Sequence, residues 1–349
     1  MKKLLVLTLL MLPLFIGCGK KEEPKKEEKT FSTAFDSSDI KAIPITDGSL
    51  SSVELKYAFT KGSEYNYRLT SITEDNQLIK EADTSASQSI KQTLSYLLKL
   101  GIKDVDQDGV MEIEFTFTSV KLDASANGKT FSYQSSNKSA DKENTDFPEY
   151  KALVNNPFTA RVTKKGDILE FFRTDRIATK LIELSVKKDS ISLEEKKLLQ
   201  QQISEGALRP LLSQVFRKLP DSQVKKDSIW TMTNPPAQLP FFEMINTLNF
   251  KITGFEKYKE SNLAVIDAGL NSQYKISERA KQAKVTVKSP SYKGEGKIYF
   301  NLSKGLVEKS KTNLYLTIEM SMMAPARTGG MQKVTQRQYT KTTNILELL

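Results

Sequence analysis

Three sets of residues in the chain have the types and spacing to do chemistry: a lone thiol at Cys18, the carboxylates of Asp104-x-Asp106-x-Asp108-Gly109, and a lone indole at Trp230. Chemistry that needs imidazole is excluded, because the 349 residues include no histidine. With a single cysteine besides, Ser-His-Asp and Cys-His nucleophiles, His/Cys zinc sites, haem held by His and iron–sulfur clusters are all ruled out. Carboxylate, lysine, tyrosine and hydroxyl chemistry remain, as does an oxygen-ligand metal site. No disulfide can form within the chain, so in an oxidising compartment the core alone must hold the fold.

The best-defined chemistry is at Cys18. Met1-Lys2-Lys3 gives a positive start, Leu4 to Ile16 is an apolar run too short to span a membrane, and the small Gly17 precedes the cysteine. The stretch Leu14-Phe15-Ile16-Gly17-Cys18 resembles the lipobox of bacterial lipoproteins, with Phe15 where Leu is usual. This resemblance implies that residues 1–17 are a cleaved signal peptide and that Cys18 carries a diacylglycerol and an acyl chain such as palmitate. Two or more chains hold a protein stably at a bilayer, each buried methylene contributing about 0.8 kcal/mol. The expected address is the cell envelope, at the outer membrane, on its periplasmic or its surface face.

Behind the cysteine, GKKEEPKKEEK over residues 19–29 carries nine charges and no apolar side chain, so it has nothing to bury. We expect residues 18–52 to form a flexible tether reaching roughly 30 Å, followed by one domain over 53–349. Net charge is +10, from 52 basic and 42 acidic residues, a mild excess that fits a solvated lysine-rich surface and no nucleic-acid partner.

Asp104, Asp106 and Asp108 copy the opening of a calcium loop, where alternate carboxylates converge on one ion. The twelfth position is Phe115, which offers no carboxylate, and Asp and Gly also suit a tight hairpin. A turn is the primary expectation and calcium at these three residues the lesser one; no other cofactor is implied. Trp230 reads first as a core anchor whose indole N–H needs a partner, and second as a ligand-stacking ring.

The elements that position these residues show two periods. Val53, Leu55, Tyr57 and Phe59 alternate before a turn at Lys61-Gly62-Ser63, and Tyr65, Tyr67 and Leu69 resume the alternation, which predicts a hairpin. Ile90 to Ile102 and Met111 to Phe117 predict strands on either side of the Asp-rich turn, a short strand is expected at Phe131 to Tyr133, and Phe158 to Phe172 predicts another hairpin. The middle is helical: a first helix from Ile177 to Val186, a second opened by the capping box at Ser192-Leu193-Glu194-Glu195, and a third near Pro210. Strands return at Leu248 to Phe255, Leu263 to Ile276, Lys297 to Phe300, Val307 to Met320 and Val334 to Ile345. Hairpin-like connections argue against a parallel nucleotide-binding sheet. The expected fold is mainly β with an α-helical insert at about 175–219, an α+β arrangement: a large curved antiparallel sheet or half-barrel packed on two or three helices. Whether it is one sheet or two is left open.

Leu219-Pro220, Val224 and Trp230 resemble a motif of uncharacterised bacterial envelope lipoproteins, in which Leu-Pro and Val precede Gly-Asp-x-Trp at a strand start; here Asp227 and Ser228 replace Gly-Asp. The Lys-Gly-Asp hairpin, Gly294-x-Gly296 and the Lys304-Gly305 turn fit the same layout. The resemblance brings no activity with it, only a fold-level analogy to curved-sheet carriers of lipids and lipoproteins. We expect a non-enzymatic binding or structural component of the envelope, attached to the membrane through its lipid anchor, with room for an apolar ligand such as a lipid. The alternative is a protein–protein interaction module without an internal cavity; a weaker one is a carboxylate-based hydrolase. A cavity lined by Tyr, Phe, Met and Leu beneath the helices favours the first, and a solid core the second.

Overall fold

Apolar alternation marks the middles of the strands, and in the computed structural model the strands run well beyond it. Residues 32–46, 48, 50–81, 84–135, 147–184, 191–325 and 329–349 are described. In chain order the elements are β1 (Ile43–Pro44), β2 (Glu64–Lys80), β3 (Ser85–Val105), β4 (Met111–Ala126), β5 (Lys129–Gln134), α1 (Pro148–Leu153), β6 (Phe158–Val162) and β7 (Ile168–Phe172). There follow α2 (Asp175–Leu184), α3 (Leu193–Gln201), a π-helical stretch (Gln202–Leu208) and α4 (Arg209–Val215). The second half holds β8 (Ile229–Thr233), β9 (Ala237–Gln238), β10 (Phe242–Tyr258), β11 (Ser261–Ile276), α5 (Glu278–Gln282), β12 (Thr286–Asn301), β13 (Leu306–Pro325) and β14 (Met331–Leu348).

The fold is mainly β, and the question of one sheet or two is answered. The 14 described strands form one antiparallel sheet along the path β1-β10-β11-β12-β13-β14-β2-β3-β4-β6-β7, with β5 on β4 and β8 and β9 on β10. Two meanders meet where β14 pairs with β2, from Thr335 opposite Lys80 to Leu348 opposite Tyr67.

Partners across a ladder share a face, so the register sorts every side chain. The inner face carries Leu346, Leu69 and Tyr96 in one row and is covered by the helices. Leu208, Leu212, Val215 and Phe216 pack there with Phe115, Ile298 and Phe300 in the main core. Phe300 and Phe115 stand on strands five ladder steps apart, about 24 Å in a flat sheet. Only two rings bridge them: Phe300 to Tyr57 is 5.6 Å, Tyr57 to Phe216 is 5.1 Å and Phe216 to Phe115 is 6.0 Å between centroids. The sheet must therefore curl around the helical layer. Gly296 shows the local tightness: a Cβ there would lie 2.4 Å from the Lys311 carbonyl oxygen, so only glycine fits this approach of β12 to β13.

Two expectations are corrected. The segment from Val53 does alternate into the core, with Leu55, Tyr57 and Phe59 at 6% exposure or less. It forms no strand ladder, however, because its amides bond to loops at one end of the sheet: Tyr57 N–H donates to the Lys164 carbonyl (2.8 Å) and Ala58 N–H to that of Gly305 (3.1 Å). The tether expected over 18–52 is not free from Ser32 onward. Arg68 Nε donates to the Ser32 carbonyl (3.0 Å), Lys309 pairs with Asp36 (2.9 Å), and Ile43–Pro44 pairs with β10. Ile40 fills a small apolar cluster with Leu263, Val265 and Tyr299. The third helix expected near Pro210 forms as α4, joined to α3 through the π-helical stretch; Pro210, which has no N–H to donate, falls in its first turn. The capping box at Ser192 forms as expected, with Glu195 N–H donating to Ser192 Oγ at 3.2 Å.

Candidate binding face of the sheet

Cys18 and the signal sequence expected over 1–17 lie outside the described residues. Of the remaining sequence-derived candidates, the three aspartates build a turn. Lys61 Nζ sits 2.9 Å from Asp104 Oδ1 and holds that carboxyl below its ordinary pKa. Asp106 Oδ1 accepts from the backbone N–H groups of Asp108 (3.0 Å) and Val110 (2.8 Å), closing the hairpin at Gly109, whose φ is +78°. Among the described residues no three carboxylates or other ligating groups come together as a metal site. The calcium expectation at Asp104, Asp106 and Asp108 is thus corrected to turn chemistry.

Trp230 is half-buried against the main core, stacks on Phe250 at 5.2 Å with planes 19° apart, and donates from Nε1 to the Lys218 carbonyl (3.2 Å). These contacts are those of a core anchor, with both ring and N–H engaged. Asp227, which stands where the resembling lipoproteins have Gly, adopts φ +68°, in the left-handed region that favours glycine; its carboxylate is held by Lys251 at 2.8 Å.

On the inner face beyond the helices, the Asp75 carboxylate accepts from Gln77 Nε2 (2.8 Å), Gln338 Nε2 (2.9 Å) and the Thr340 hydroxyl. No second carboxylate faces it among the described hydrogen bonds. Glu149 in α1 has its pKa raised by burial and likewise has no described carboxylate partner. Neither residue supplies the acid–base pair that a hydrolase needs.

The grooves open on the outer face. One, of about 590 Å³, crosses β13, β14, β2 and β3. The register places Thr317, Tyr339, Asn76 and Ser89 in one outward row and Glu319, Arg337, Leu78 and Ser87 in the next. These two rows wall the groove, and the backbone of Ile318, Gln338, Gln77 and Gln88 runs between them as its floor. A second groove, of about 460 Å³, crosses β3, β4 and β5 between the Lys91-Ser125-Thr130 and Thr93-Asp123-Ser132 rows. The charged residues of both grooves are already paired: Arg337 with Glu319 (2.8 Å), Lys91 with Glu74 (3.4 Å) and Asp123 with Lys121 (2.8 Å). By contrast, the side chains of Asn76, Ser87, Ser89, Thr317 and Tyr339 make no hydrogen bond among the described residues; Ser89 donates only its backbone N–H, to Asn127 Oδ1. Sequence reasoning missed this surface, since Ser, Thr, Asn and Gln on both sides of a strand give no alternation to read.

The other end of the outer face is occupied by the chain itself. Residues 32–46 cross it, and beneath them Arg68 and Glu347 form a buried ion pair at 2.9 Å, each side chain 11% exposed. Glu347 also accepts from Asp36 N–H (3.1 Å), and Lys311 donates to the Ser37 carbonyl (2.9 Å). The Ser38 backbone N–H and then Lys309 hold Asp36 ionised far below the ordinary carboxylate range.

A family model described as "Family of unknown function (DUF6263)" matches residues 108–307. No curated protein matches the sequence. Among solved structures, a lipovitellin described for its lipid–protein interactions is similar at 9% identity and a TM-score of 0.37, over 84% of this chain and 25% of that one. This chain therefore spans about a quarter of the lipovitellin chain. DynF from the dynemicin biosynthesis pathway of Micromonospora chersina is similar at 5% identity and a TM-score of 0.16, over 88% of this chain and 91% of that one. A DUF1329 family protein from Desulfovibrio piger is similar at 8% identity and a TM-score of 0.12, over 80% and 85%.

Proposed function

We propose, for a chain that belongs to the DUF6263 family of unknown function, that it is a lipid-anchored, non-enzymatic binding module of the cell envelope whose working surface is the outer face of its sheet. The observation that carries this reading is where the unspent polar groups are. They line grooves on the outer face, while the space beneath the helices is filled by side chains such as Phe115, Phe216, Leu212 and Phe300, each exposed by 2% or less. That packing favours the interaction module over a carrier with an apolar ligand held under the helices.

The position of Ser32 supports the same reading. It is held at Arg68 on the outer face, so the described residue nearest Cys18 in sequence sits on this side. The two positions are fourteen steps apart along the chain, a span of no more than about 50 Å when extended. With Cys18 acylated in the outer membrane, the Ser32 end of the outer face works within that distance of the lipid surface.

The test is photo-crosslinking in growing cells from a photoreactive residue at Tyr339, compared with one at Leu198 on α3. The reading expects a discrete adduct from position 339 in the membrane fraction and none from 198. Adducts from 198 alone would overturn the assigned face. A mature protein with a free Cys18 thiol by intact mass would remove the anchor.

A further inference from the structure

We infer that the groove between the Tyr339 and Arg337 rows binds a neutral oligosaccharide, an inference that rests on the outer face being the working surface. The groove's volume, about 590 Å³, is in the range of small-ligand sites. Its chemistry selects among ligand classes by elimination. A nucleic acid or an anionic headgroup needs uncommitted cations, and the one cation lining this groove among the described residues, Arg337, is held by Glu319 at 2.8 Å. An extended peptide adding as a strand needs a free ladder edge, whereas β13, β14, β2 and β3 are each paired on both sides. An acyl chain needs enclosure, and this groove, though much of its exposed lining is carbon, lies open along its length and is bordered by hydroxyl, amide and paired-charge side chains.

A sugar needs what is left over. Its hydroxyls donate and accept at once, which matches side chains of the same dual capacity: the Asn76 amide and the Ser87, Ser89 and Thr317 hydroxyls, all without a described side-chain partner. Its C–H face needs a flat apolar platform, and the Tyr339 ring, 44% exposed, stands in the same row as Asn76, with Leu78 in the facing row. The two rows run across four strands spaced about 4.8 Å apart, so the donors and acceptors repeat along the groove as they do along a glycan.

The test is titration calorimetry of the full-length protein in lauryldimethylamine oxide micelles, a detergent without a sugar headgroup. The probes are maltohexaose, cellohexaose and N-acetylchitohexaose, with a neutral Ser/Asn peptide as the competing class. The expected result is binding of at least one hexasaccharide, weakened at least tenfold by Tyr339→Ala and by Asn76→Ala and unchanged by Leu193→Ala on α3, with circular dichroism unaltered in each variant. Absence of binding by all three sugars, binding that ignores both groove substitutions, or capture of the peptide in their place would overturn it. If the sugars fail while the Tyr339 crosslink in cells persists, the saccharide assignment falls and the outer-face reading stands.

Discussion

At the scale of single residues, the consequences follow from which groups are committed to the core. Trp230 is stacked on Phe250 and bonded through its N–H to Lys218, so Trp230→Ala should cost about 3–5 kcal/mol of stability, read by urea denaturation; a purely ligand-stacking ring would leave the midpoint unmoved. Glu149 is the opposite case, since burial raises its pKa. A raised carboxyl pKa means that the folded state binds the extra proton, so stability falls as pH rises from the ordinary carboxylate value through the raised one. Glu149→Gln should therefore stabilise the protein at pH 7 and make little difference at pH 4, as measured by thermal unfolding at both. Trp230 was legible in the sequence because a lone indole at a strand start has few other uses. The aspartates at 104, 106 and 108 were ambiguous, since the same residues suit a turn or an ion until Lys61 and the Asp106-centred backbone bonds are seen.

Among the elements, the segment over 32–46 changes the picture most. Its composition gave no sign of docking, because it is held by charge and backbone pairing with strands far along the chain and not by an apolar pattern of its own. Glu347 is the hub: it holds buried Arg68 and accepts from Asp36 N–H. Glu347→Gln leaves the Arg68 charge buried without its partner, a loss of roughly 3–5 kcal/mol, and should also expose residues 32–46 to limited proteolysis at neutral pH. Intact proteolytic resistance in this variant would show that the segment docks independently of the ion pair. The strand middles were legible where one face is apolar, as at Met111, Ile113, Phe115 and Phe117. Their polar ends were not: Thr70 to Lys80 and Ser85 to Ser89 mix Ser, Thr, Asn and Gln on both faces and stay in register through their neighbours' ladders. The groove of about 590 Å³ lies partly on these stretches, so the candidate site was hidden for the same reason as the strand ends.

For the whole molecule, local pattern could give the strands but not their closure, since β14 joins β2 across most of the chain's length. That single pairing makes one sheet of two meanders, turns one face inward over the helices and leaves the other face open. The proposed lipid anchor and the open face together make the functional claim. The absence of any other cysteine allows a direct measurement: place a single thiol by Tyr339→Cys or by Lys196→Cys on α3, keep Cys18 acylated, and compare maleimide labelling in intact envelopes with labelling of the purified protein. Labelling at 339 should drop at least tenfold in envelopes while labelling at 196 holds steady. Equal reactivity of the two positions in both settings would contradict the outer face as the working surface.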